Sequence, residues 1–137
     1  MPTLKAEHGM ADVFQFDSAR PYRYLVYSYS LNHSALTLRV CEYSTTRVDL
    51  LYECMFGTVV YLDLCPTWEN ATLTTASRED CIALMQEIGL GSEESLQRLA
   101  DETVVLYEAQ PPGRKKIRIL AAKSVEIRGT GPGAARE

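Results

Sequence analysis

The side chains able to do chemistry in this 137-residue chain are few and scattered. It has two histidines, His8 and His33, and four cysteines, Cys41, Cys54, Cys65 and Cys81. Nucleophilic catalysis needs a Ser or Cys beside a positioned base. No G-x-S-x-G, papain-like cysteine context or H-E-x-x-H motif is present to supply one. The cysteines form no C-x-x-C pair, and neither histidine is placed to complete a zinc site, so buried thiols are expected. Gly89-Leu90-Gly91 lacks both the strand-turn-helix setting and the basic residue of a phosphate loop. Glu79-Asp80 and Glu93-Glu94 are adjacent acids, and adjacent positions on a helix face different ways, so neither pair makes a general acid/base dyad. The expectation is a chain with no catalytic residue, no metal and no cofactor.

Binding chemistry is better represented. Seven of the eight tyrosines, Tyr22, Tyr24, Tyr27, Tyr29, Tyr43, Tyr52 and Tyr61, fall between residues 22 and 65, among Val, Leu and Thr. Tyrosine presents a stiff apolar body with a polar tip, and Tyr and Trp are enriched at interface hot spots. Tyr27, Tyr29, Tyr43 and Trp68 are the candidate contacts, each with core packing as an equally good alternative. Charge is segregated as well. Residues 78 to 108 hold eight acids against two arginines, and residues 111 to 128 hold six bases against one acid. Glu93 and Glu94 belong to the acidic stretch and would steer a basic partner, since complementarity chiefly sets association rate and specificity. The basic stretch has no interleaved aromatic residue, which a single-strand nucleic-acid surface would want. Its reading is a solvated strand face, with no nucleic-acid partner.

These residues must be positioned by strands first and helices later. Val13, Phe14 and Phe16 could form a short first strand. Pro21 precedes Tyr22 to Leu31, apolar on both parities and so expected to lie inside a sheet. Asn32-His33-Ser34 has turn chemistry, with His33 a solvated turn residue. Ala35 to Tyr43 alternates, Leu36, Leu38 and Val40 against Thr37, Arg39 and Cys41, as a half-buried antiparallel strand does. Arg47 to Phe56 alternates again, and after Gly57 a further strand spans Thr58 to Leu64. Pro66 and Trp68 read as a connection, and Ala71 to Thr75 as one more strand. The period then changes. Ser77 with Asp80 resembles a capping box, Cys81, Ile82, Leu84, Met85 and Ile88 recur at helical spacing, and Gly89 suits the helix end. A second helix starts at Ser92, with Leu96, Leu99 and Ala100 as its buried stripe. Val104 to Ala109 returns to strand, Pro111-Pro112-Gly113 turns, and Lys115 to Arg128 makes one long strand or a pair broken near Ala121-Ala122.

The expected fold is α+β: a mainly antiparallel sheet of six to eight strands, a meander that could curve into a barrel, with one or two short helices before the last strands. At this length residues 1–128 form one domain, and the glycine-rich residues 129–137 are a disordered tail. A hydrophobic content of 46% and a charged content of 23% are ordinary for a globular chain. The formal charge of -4 gives no global nucleic-acid signature. Apolar runs fall far short of the ~20 residues a membrane helix needs, and residues 1–17 do not read as a signal peptide. Together these predict a cytoplasmic protein, and they make the Asn70-Ala71-Thr72 glycosylation pattern a chance match.

The run Leu50-Leu51-Tyr52-Glu53-Cys54-Met55-Phe56-Gly57-Thr58-Val59-Val60-Tyr61-Leu62, with Ile117-Arg118-Ile119-Leu120-Ala121-Ala122, resembles small bacterial immunity proteins, which protect a cell from its own interbacterial toxins. The resemblance spans residues 22 to 128 and consists of hydrophobic patterning, so it transfers no residue role. It implies a non-enzymatic module that binds and neutralises one protein partner, a toxin domain. Two other readings stand beside it. One is a small-ligand carrier or enzyme on a barrel-like sheet, with tyrosines, cysteines and Arg39 lining a cavity. The other is a structural homo-oligomer, such as a homo-dimer, joined through the tyrosine face and an exposed strand edge.

Overall fold

The computed structural model describes residues 3–5, 22–43 and 48–129. Val13, Phe14, Phe16, His8 and residues 130–137 of the expected tail lie outside them, as does the side chain of Tyr43. The strands are β1 (Thr3–Lys5), β2 (Tyr22–Ser30), β3 (Ala35–Tyr43), β4 (Val48–Phe56), β5 (Tyr61–Asp63), β6 (Thr67–Glu69), β7 (Thr74–Thr75), β8 (Val104–Ala109), β9 (Ile117–Ala122) and β10 (Ser124–Gly129). The helices α1 (Arg78–Glu87) and α2 (Glu93–Glu102) stand between β7 and β8.

All pairings are antiparallel, and the strands divide into two open sheets: β1-β10-β4-β3-β2-β6 and β5-β9-β8-β7. The expected α+β class, with helices before the last strands, is what forms. The strands are more numerous than expected because short edge strands of two or three residues flank the long ones. The two sheets pack face to face over one core. Leu36, Leu38, Val40, Cys54 and Phe56 come from the first sheet, and Val105, Tyr107, Ile117, Ile119 and Ala121 from the second. The other face of the second sheet, through Val104, Leu106 and Leu120, meets Cys81, Leu84, Met85, Leu96 and Ala100 of the helices. The order of layers is therefore sheet, sheet, helices. A strand buried on both faces reads as a continuous apolar run, which accounts for Val104-Val105-Leu106-Tyr107.

Local chemistry sets the elements. Ser77 Oγ accepts from the Asp80 amide at 3.1 Å and Ser92 Oγ from the Ser95 amide at 3.3 Å, so both helices start at a side-chain cap. Gly89, at φ 73°, ends α1 in a left-handed residue, with its amide on the Gln86 carbonyl and the Leu90 amide on the Met85 carbonyl. The segment expected as Lys115–Arg128 is two strands in different sheets: β9 pairs with β8, β10 pairs with β4, and the chain changes sheets at Lys123. Gly129 closes β10 opposite Tyr52, so this strand runs one residue past the expected domain boundary at 128. A bulge between Val40 and Cys41 sets Cys41 opposite Leu50 and leaves Leu51 as the extra residue. Leu51 is buried while Val48 is exposed, the reverse of what simple alternation of Arg47–Phe56 predicts.

Candidate functional site

The first sheet has its inner face in the core, and its outer face is turned away from the second sheet and the helices, meeting the β8–β9 turn at the edge that carries Arg23 and Glu69. Parity sends Arg23 and Leu25 of β2, Thr37 and Arg39 of β3, Glu53 and Met55 of β4, Arg128 of β10 and Glu69 of β6 outward. Register then joins the charges. Arg39 faces Glu53 across β3 and β4, with Nε donating to Oε2 at 3.1 Å. The other Glu53 oxygen lies 3.7 Å from Arg128 Nη1. At the far edge the Arg23 guanidinium donates through Nε (2.9 Å) and Nη2 to one oxygen of Glu69.

Tyr27 belongs to this face. A bulge between Val26 and Ser28 interrupts the β2–β3 register at Tyr27, and a bulge re-aims the side chain it carries. The Arg39 guanidinium sits 3.4 Å from the centroid of the Tyr27 ring. The ring is still 56% exposed. Glu53 holds Arg39, and Arg39 holds Tyr27, so the aromatic ring is a positioned yet open surface group. Leu25 and Met55, both half-buried, add apolar area to the same face.

Beyond the bulge Tyr29 lies on the opposite face, paired with Leu36, and stays 39% exposed because the sheet ends there. Leu31 and Val60 are exposed beside it. The Val59 amide donates to the Ser34 carbonyl at 2.9 Å, which ties the 57–60 loop to the β2–β3 turn. His33 is exposed in that turn. Tyr43 pairs with Val48 at the other end of β3.

Trp68 is not a surface contact. It is fully buried in β6, its ring stacked on Tyr24 with centroids 5.1 Å apart and an interplanar angle of 1°. Its indole N–H donates to the Ala71 carbonyl at 3.0 Å. A large apolar ring with its one polar atom satisfied belongs in the core. Glu93 and Glu94 are exposed in the first turn of α2, in the layer on the opposite side of the molecule from Tyr27. Of the sequence candidates, Tyr27 and Tyr29 lie near one end of the first sheet on opposite faces, Glu93 and Glu94 lie on the helix layer, and Trp68 lies in the core.

The charge segregation resolves into cross-strand pairs. Lys115 and Arg118 reach Asp63 of β5 at 2.7 and 3.4 Å, Lys116 reaches Glu108 at 3.4 Å, and the Lys123 ammonium donates to the Asp101 carbonyl at 2.6 Å. Hydrogen bonds from Lys115 and then Arg118 hold the Asp63 carboxyl below its ordinary range. Lys115, Lys116 and Arg118 thus share two carboxylates, so the basic strand face is partly neutralised. On the helices Arg78 bonds Asp101, and Arg98 lies 3.9 Å from Glu94. Glu79, Asp80, Glu87, Glu93 and Glu102 have no ion pair among the described residues, which leaves that layer acidic.

The four cysteines are buried and unpaired with one another. Burial pushes the Cys54 and Cys41 thiols up, in Cys41 against the opposing pull of Arg39 and Arg23. It pushes Cys81 up to about 11. A thiol held protonated is a poor nucleophile. The described residues contain no group of three His, Cys, Asp or Glu able to hold a metal. No described helix is long and apolar enough to cross a membrane.

Sequence reasoning missed Arg39, Glu53 and Arg128 as a unit. Their parities were readable, because each alternates with core residues. The register that brings them together was not. No protein-family model matches the chain, and neither does any curated protein or solved structure.

Proposed function

We propose that this protein is a binding module that acts by occupying one protein partner, as an immunity-type protein occupies a toxin domain. Its contact surface is the outer face of the first sheet around Tyr27. The observation that carries this reading is the Tyr27 ring, open to solvent yet held by Arg39, which Glu53 holds in turn. A rigid aromatic loses little conformational freedom on binding and brings a large contact area. Tyr, Arg and Met are the residue types enriched at interfaces, and Tyr27, Arg39 and Met55 supply all three on one face. The acidic helix layer points away from this surface and would act on approach through its long-range field.

The test compares the tagged wild-type chain with Tyr27→Ala in quantitative capture from native lysate, followed by titration of the recovered partner. The expected result is one stoichiometric partner whose affinity falls tenfold or more in Tyr27→Ala, while Glu93→Gln/Glu94→Gln mainly slows association. A partner whose affinity is unchanged by Tyr27→Ala and Arg39→Gln would sink this surface assignment. For the immunity-type role, co-expression should rescue cells from the partner's toxicity, and absence of any toxicity to rescue would sink that part.

A further inference from the structure

Two turns from different sheets face one another across a cleft of about 330 Å³. One follows β6 and contains Asn70. The other joins β8 to β9 through Pro111, Pro112, Gly113 and Arg114. Both are pinned. Asn70 takes the left-handed conformation, φ 61°, which Asn tolerates, and the Trp68 indole N–H donates to the Ala71 carbonyl three residues on. Across the cleft the Gln110 side-chain amide donates to the Pro111 and Arg114 carbonyls at 3.2 and 2.8 Å, and the Arg114 amide returns to Pro111 at 3.3 Å. The walls are thus set before any ligand arrives, which lowers the ordering cost of binding.

The charges that line it are two guanidiniums, Arg23 and Arg114, and one carboxylate, Glu69. Glu69 is taken by Arg23, which spends two donors on a single oxygen. Arg114 has a fixed backbone and an exposed side chain, with no acidic partner among the described residues. Lys115, Lys116 and Arg118 each reach a carboxylate and Lys123 reaches a carbonyl, which leaves Arg114 as a guanidinium lining a cleft with a positive balance. Guanidinium geometry matches carboxylate and phosphate oxygens bidentately. A volume of about 330 Å³ is at the small end of ligand sites and suits a small ligand.

We propose that this cleft is an oxyanion site, taking the phosphate or carboxylate of a small organic acid on Arg114, beside the internally paired Arg23 and Glu69. It lies at the β6 edge of the first sheet, apart from the Tyr27 end that the partner surface uses.

The experiment titrates the full chain with inorganic phosphate and, separately, with succinate, against sodium chloride at matched ionic strength, because unspecific charge effects are screened by salt. Melting temperature and backbone amide shifts in NMR are followed together. Saturable binding of either probe is expected, with amide shifts confined to residues 67–71 and 110–116. Arg114→Gln should weaken it by roughly tenfold or more, the loss expected for charge-assisted hydrogen bonds, while the exposed Arg98→Gln leaves it unchanged. Binding of phosphate alone assigns a phosphate ester, and binding of succinate alone assigns a carboxylic acid. A response to both probes that matches sodium chloride, or saturable binding that survives Arg114→Gln intact, overturns the proposal. Arg114 is exposed, so its replacement leaves the fold in place, and an unchanged melting temperature without ligand checks this.

Discussion

Replacing Trp68 separates a core residue from a contact residue. The side chain is fully buried against Tyr24, and its indole nitrogen satisfies the Ala71 carbonyl. Removing a buried Trp costs about 3 to 5 kcal/mol through lost transfer energy and the cavity left behind, of which about 0.5 to 1.5 kcal/mol belongs to ring stacking. A domain of this size loses about 4 °C of Tm per kcal/mol, so Trp68→Ala should melt roughly 12 to 20 °C lower. Trp68→Phe keeps a ring on Tyr24 but leaves the carbonyl without its donor, and should lose about 1 to 2 kcal/mol. Urea unfolding followed by circular dichroism reads both values. Because Trp68 is the only tryptophan, native fluorescence adds a direct readout: blue-shifted emission, inaccessible to acrylamide until unfolding. A Trp68→Ala loss below about 1 kcal/mol, the range of ordinary surface changes, or emission quenched like free indole in the native state, would refute the buried assignment.

Three further outcomes follow from the same structure. Asp63 has its pKa lowered by Lys115 and Arg118, so its contribution is present above the unfolded carboxylate value and is lost as pH falls through the lowered one. Asp63→Asn should therefore narrow the stability difference between pH 7 and pH 3 in urea melts, and an unchanged difference would contradict the pairing. Cys54 and Cys81 are buried with raised pKa values, about 11 for Cys81, so at pH 8 a thiol reagent should modify them only at the rate of unfolding. Fast modification of either in the native protein would show the helix and sheet cores to be open. Gly89→Ala meets no atom within 4 Å but must keep φ 73°, and should lose about 1 kcal/mol. Gly57→Ala also meets open space, without that backbone demand, and should be neutral or gain up to about 1 kcal/mol. Equal effects at the two positions would rule out backbone conformation as the cause.

What the sequence disclosed was local. Period-two alternation located β3 and β4, and two serine caps with a change of period located both helices, because each signal lies within a few residues of the element it marks. Partition into two sheets is non-local. Nothing in Ile117–Arg128 states that Ile119 will pair with Tyr107 while Ile127 pairs with Cys54. Trp68 reads as part of a proline-containing connection, and only its placement opposite Tyr24 turns that segment into a strand. The same reason hid the charged ladder: Arg39, Glu53 and Arg128 are distant in sequence and meet through register alone. Bulges at Tyr27 and Leu51 shift which side chains face out, and alternation cannot foresee them.

The change of sheet at Lys123 has a consequence for how the protein is made. β10 is an interior strand of the first sheet, bonded to β4 on one side and β1 on the other, yet it emerges from the ribosome about 70 residues after β4 ends. At ordinary synthesis rates that gap lasts roughly 4 to 14 s. Throughout it the nascent β2–β3–β4 meander presents the backbone edge of β4, with Cys54 and Phe56 lacking the cover of Val125 and Ile127. A chain stalled in the second sheet is thus a partly built sheet with one adhesive side. Co-translational chaperones that cap strand edges, and slow translation through residues 57–123, should govern its yield more than the equilibrium stability of the finished protein does.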